Sequence, residues 1–154
     1  MSQETRELSH TEYYANLDHV GKALATVRRQ LILRPNLLKP LGGIALVGSY
    51  GEGNPTTNSD LDYQIWADST HIPLPKIDSY AYVISNLLRP ILFRNFRRLD
   101  SYVSGVDFRD PELINIALTG ESKVVIIHNG LSPMKKVVLP ILNRLNIPSH
   151  WITV

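Results

Sequence analysis

The sequence predicts an α/β chain of the α+β kind, a small mixed sheet flanked by helices, and three observations carry that reading. Apolar residues recur at alternating three- and four-residue spacing at Leu17, Val20, Leu24, Val27 and Leu31, and again between Ile77 and Leu88, as on one face of a helix. Short apolar or alternating runs at Ile44 to Val47, Asp60 to Ala67 and Lys123 to His128 have the length and pattern of strands. The two kinds of stretch alternate along the chain without an internal repeat or a linker. At 154 residues the whole chain, 1–154, is expected to form one domain with a single sizeable core.

The elements follow in order. Ser9-His10-Thr11-Glu12 has the form of a capping box, in which two side chains satisfy each other's orphan N–H groups, and the helix it opens should end before Pro35. Ile44 to Val47 reads as a buried strand. Gly51-Glu52-Gly53-Asn54-Pro55 is poor helix material, so a helix after Ser49 should be short or irregular. Asp60 to Ala67 is the second strand. After the Pro-broken loop His71 to Pro75, a helix carries Ile77, Tyr80, Ala81, Ile84, Leu87 and Leu88, and Pro90 should stop or kink it. A third strand is expected from Leu99 to Phe108, with Gly105 as a bulge. Asp110-Pro111 reads as an N-cap with proline in the first turn, and Gly120 suits the stop. Lys123 to His128 is the fourth strand and Asn129-Gly130 a turn. Ser132-Pro133 opens a last helix that Pro140 should interrupt, and Trp151 to Val154 has the makings of an edge strand.

Composition narrows the function classes. Hydrophobic residues make up 44% and charged residues 19%, ordinary for a globular protein. A net charge of +2 is too weak a bias to name nucleic acid as a partner. The absence of cysteine excludes disulfides, thiolate zinc sites and cysteine nucleophiles. The first residues are polar and no apolar run reaches membrane length, so a cytoplasmic location is expected.

The chemistry gathers at Gly48-Ser49, followed after ten residues by Asp60-Leu61-Asp62. Residues two apart on a strand share a face, so Asp60 and Asp62 should present two carboxylates side by side. Two such charges repel unless a cation lies between them, and magnesium is commonly held by one or two carboxylates together with substrate phosphates. The small Gly48-Ser49 turn lets backbone N–H groups approach a phosphate. Together these residues read as a metal–nucleotide site. No P-loop, Gly-x-Gly-x-x-Gly turn or Gly-x-Ser-x-Gly elbow is present, and the five histidines lack metal-ligand spacing.

This arrangement resembles the nucleotidyltransferases of the DNA polymerase β superfamily, most closely their minimal single-domain bacterial members, over roughly residues 40–128. Ser59 before Asp60, and apolar Leu61, Tyr63 and Ile65 around the pair, fit the same pattern. The resemblance implies the polymerase β-type fold and a third carboxylate on a neighbouring strand. Asp107, in Val106-Asp107-Phe108, is the candidate, Asp100 is its rival, and Asp110 is better explained as an N-cap. It further implies two magnesium ions bridging Asp60, Asp62 and Asp107. The expected activity is transfer of a nucleoside monophosphate from an NTP, with ATP the expected donor, to an acceptor hydroxyl. In minimal bacterial relatives that acceptor is often a partner toxin, which makes the enzyme an antitoxin; aminoglycosides and RNA 3′ ends stay open. Ser59 to Tyr63 with Ile65-Trp66 is also similar to the class I adenylate cyclases, which are far longer. A nucleotide- or partner-binding module without turnover is the alternative from another class. Arg89, Arg94, Arg97, Arg98 and Arg109 read first as a solvated basic face, and second as a patch facing triphosphate or RNA.

Overall fold

The computed structural model describes residues 5–100 and 103–154. Helix α1 (His10–Gln30) starts as its capping box requires: Glu12 N–H donates to Ser9 Oγ at 3.2 Å, and Ser9 N–H donates to the Glu12 carboxylate at 2.9 Å. Its stripe of Leu17, Val20, Leu24 and Val27 is buried. The single turn α2 (Pro35–Leu38) leads into strand β1 (Leu41–Val47). Helix α3 (Gly48–Glu52) is short, as its composition demands, and ends at Gly53. Strand β2 (Asp62–Ala67), helix α4 (Ile77–Leu92), strand β3 (Gly105–Asp107) and helix α5 (Pro111–Ala117) follow. Strand β4 (Val124–His128), helix α6 (Met134–Arg144) and strand β5 (Ser149–Thr153) complete the chain, β5 lying at an edge of the sheet as expected. Among the described residues, no helix is long and apolar enough to cross a membrane.

The five strands form one mixed sheet in the order β3-β2-β1-β4-β5. Central β1 runs antiparallel to β2 and β4, while the outer pairs β2–β3 and β4–β5 are parallel. Both faces are covered, which is the α+β arrangement expected from the sequence. Ile44, Leu46, Leu61, Tyr63, Ile65, Val125 and Ile127 pack toward α1 and α4. Ala45, Trp66, Val106, Val124 and Ile126 pack with Ile114 of α5 and Val138 and Leu142 of α6. In the register of β1 and β2, Val47 stands opposite Asp62, so the turn into α3 begins beside the acidic pair.

Three local expectations change. Helices α4 and α6 run through Pro90 and Pro140 instead of stopping. Each proline frees the carbonyl four residues earlier, at Asn86 and Lys136, and all four residues are exposed, so water replaces the missing N–H. The third strand is not continuous from Leu99 to Phe108. Leu99 makes one parallel bridge to Leu61, pairing resumes only at Gly105, and Ser101 and Tyr102 lie outside the described residues. Gly105 is not a bulge but the first residue of β3; a Cβ there would stand 2.6 Å from the Ile77 carbonyl oxygen, a distance that excludes any side chain.

Candidate active site

The site is built on the end of β1 and the start of β2. Gly48 adopts φ +63, a left-handed conformation that costs other residues about 1–2 kcal/mol. The same residue lies against the acidic pair: a Cβ on Gly48 would be 2.7 Å from Asp62 Oδ2. Glycine is therefore required twice, for the turn and for the close approach of backbone to carboxylate. Ser49 follows in α3, half-buried.

Leu61 fixes the acids. Its side chain is fully buried toward α1 and α4, so by strand alternation Asp60 and Asp62 belong to the opposite face with Gln64 and Trp66. Asp60 is exposed and Asp62 half-buried. Leu61 N–H donates to the Arg98 carbonyl at 3.1 Å, and Asp100 N–H donates to the Leu61 carbonyl at 3.2 Å. Leu99 is thus the parallel partner of Leu61, which sets Asp100 beside Asp62. Burial, followed by the charges of Asp100, Asp60 and Glu121, holds the Asp62 carboxyl above its ordinary pKa.

Asp107 does not join them. It pairs in register with Ala67, at the far end of β2, and five steps of roughly 3.3 Å separate that end from Asp62, about 17 Å in all. Its neighbour Val106 packs on the face of Trp66, so Asp107 belongs to the other face. Its carboxylate accepts the Arg109 N–H at 3.0 Å and closes the turn toward α5, with 4% of the residue exposed. Arg109 extends the same support: its guanidinium grips the buried Asp68, Nε to Oδ1 at 2.5 Å and Nη2 to Oδ2 at 3.1 Å. The expectation that Asp60, Asp62 and Asp107 converge is thereby corrected, and the rival Asp100 takes the place beside the pair. Asp110 is an N-cap, as expected, accepting from Glu112 and Leu113 N–H groups.

Glu121 carries no sequence signal of its own. It follows Gly120, whose φ of +84 turns the chain after α5, and its Oε2 accepts the Gly48 N–H at 3.0 Å. Ser122 is clasped in turn by the Glu52 carboxylate through both its N–H and its hydroxyl.

The basic run divides. Arg89 donates to the Asp100 carbonyl at 2.9 Å and lies over the Phe93 ring, and Arg109 is committed to Asp68, so both have structural work. Arg97 and Arg98 are exposed and line a polar cleft of about 330 Å³ together with Asn16, Tyr50, Ser59 and Asn95. That cleft borders the residue just before Asp60.

The chain matches no protein-family model, no curated protein and no solved structure. Its site must be read from geometry. Among the described residues, no three histidine or acidic side chains stand close enough to enclose a metal ion. Asp60 and Asp62, with Asp100 beside them, are an open row of hard oxygen donors. Such a row fits magnesium, which keeps several waters and is completed by substrate phosphates rather than caged by protein.

Proposed function

We propose that the protein is a magnesium-dependent nucleotidyltransferase of the polymerase β type, moving AMP from ATP to an acceptor hydroxyl. The observation that carries the reading is the seating of Gly48 against the Asp62 carboxylate, which sets a small backbone turn able to meet a phosphate next to an acid able to hold a metal. Asp60 and Asp62 would hold the metal, with Asp100 in the third place. When bound, magnesium would lower the pKa of an attacking hydroxyl and neutralise charge on the transferring phosphoryl group.

The chain's own residues supply the rest. The backbone at Gly48-Ser49 orients the phosphates, and the Asp60–Asp62 strand fixes the transferring group against it. Asp100 borders the acceptor side, because the Leu99–Leu61 bridge sets it on the edge of the Asp60–Asp62 segment away from β1 and Gly48. Arg97 and Arg98 add positive charge to that border. The acceptor surface is taken to be supplied by a partner protein, as in a toxin–antitoxin pair.

The test is direct. Purified protein with Mg²⁺ and α-labelled ATP should release pyrophosphate when the acceptor is supplied, with label appearing on a protein hydroxyl. A cyclic nucleotide as sole product would establish the cyclase reading instead. Saturable ATP binding with no pyrophosphate, whatever partner protein, RNA or aminoglycoside is added, would leave a silent binding module.

A further inference from the structure

We propose that Glu121 is an internal counter-ligand, a carboxylate that sits in the phosphate seat of the free protein and has to leave before nucleotide can enter. The inference rests on the nucleotidyl-transfer reading and adds a residue that tunes affinity at the same site. Gly48 has one backbone N–H, and in the free protein it is given to Glu121 Oε2 at 3.0 Å. A backbone N–H facing a carboxylate is the donor that a phosphate oxygen would use, and it cannot serve both fully. Gly48 in turn lies against Asp62, so the Glu121 carboxylate is held close to a second acid. The Gly48 bond is what keeps it there.

The surrounding chain lets the side chain leave without the loop unravelling. On one side Gly120 is exposed, and a Cβ built there would meet nothing within 4 Å. On the other side Ser122 is anchored to Glu52 through two hydrogen bonds. Glu121 itself is half-buried, so part of its surface already meets solvent. A phosphate arriving with its magnesium replaces the carboxylate on Gly48 and brings a cation for Asp60 and Asp62. A bare triphosphate would replace one anion by a larger one. Glu121 therefore favours entry of metal-charged nucleotide.

Calorimetric titration of the α,β-methylene analogue of ATP with Mg²⁺ should be run on wild type, Glu121→Gln and Glu121→Ala, each checked for an unchanged melting transition. Removing the competitor should tighten binding about tenfold in Glu121→Ala, with Glu121→Gln shifted the same way. In the free protein the Gly48 amide proton should move upfield in Glu121→Ala, and the wild-type and variant resonances should coincide once the analogue is bound. Wild type that binds the analogue no more weakly than both variants overturns the role of Glu121 and leaves nucleotide binding intact. If none of the three proteins binds it, the nucleotidyl-transfer reading itself falls, and this inference with it.

Discussion

Asp62 and Asp68 sit on one strand and its exit, yet their surroundings push their protons in opposite directions. For Asp62, burial and then the charges of Asp100, Asp60 and Glu121 raise the pKa. An acid with a raised folded pKa stabilises the fold below its ordinary range and forfeits that stability as pH climbs through the raised value. The metal-free protein should therefore lose melting temperature, in EDTA, as pH climbs from about 4 through the raised value, by an amount that Asp62→Asn abolishes. Asp62→Asn should also cut nucleotide transfer by about 10²–10³-fold while raising the neutral-pH melting temperature, because it removes a charge needed only when the cation is present. A variant both less stable and fully active would end the metal reading of Asp62. For Asp68, burial opposes ionisation, but the Arg109 guanidinium and the Thr70 hydroxyl and N–H outweigh it and hold the carboxyl down to about 2. That contribution is complete above about pH 4 and is lost as pH falls toward 2. Asp68→Ala removes the partner of an Arg109 side chain that already reaches solvent, and should cost about 1–3 kcal/mol in urea unfolding, with no separate effect on the acidic site. That Gly48 and the Asp60–Asp62 segment come together was legible, because their spacing spans one turn between two neighbouring strands. Glu121 was not, since it comes from a turn with no motif and its role exists only through the Gly48 N–H.

At the scale of elements, local signals held wherever they closed on themselves. The capping box needs only residues three apart, and both of its bonds form. Ser9→Ala should cost about 1 kcal/mol and lower the melting temperature by about 2–4 °C, read by calorimetry. The prolines do not end their helices because proline acts on a carbonyl, and whether that carbonyl can meet water depends on which way the helix faces. Pro90 lies on the exposed side of α4, so the helix continues at a cost rather than breaking. Restoring the N–H with Pro90→Ala should stabilise the protein by about 1–3 kcal/mol, visible as a higher urea midpoint at unchanged slope. An unchanged or lower midpoint would mean that proline fixes a bend on which the packing of α4 against α1 depends. The third strand misled for another reason. Its apolar residues could not reveal that pairing lapses between Leu99 and Gly105, because a lapse depends on what the partner strand offers.

That lapse decides the site at the scale of the whole molecule. The sequence reading preferred Asp107 to its rival Asp100 on one predicted strand, but a sheet has two ends and two faces. Leu61 and Leu99 anchor one end of the β2–β3 pairing, and Ala67 and Asp107 close the other. Asp100 therefore stands beside Asp62, on the edge away from Gly48, whereas Asp107 stands by Asp68 and Arg109, where it shapes the entry to α5. Paired substitutions separate the two roles. Asp100→Asn should lose about 10²-fold or more in nucleotide transfer with the fold standing, since charge stabilisation is most of what such a site supplies. Asp107→Asn weakens a buried bond to the Arg109 N–H and should cost about 1 kcal/mol of stability, with activity per folded molecule unchanged. Measuring turnover and urea midpoint on both variants side by side makes the outcome a crossed pair. The reverse pattern, an inactive but stable Asp107→Asn and an active Asp100→Asn, would return the third carboxylate to Asp107 and require a different register of β3 along β2.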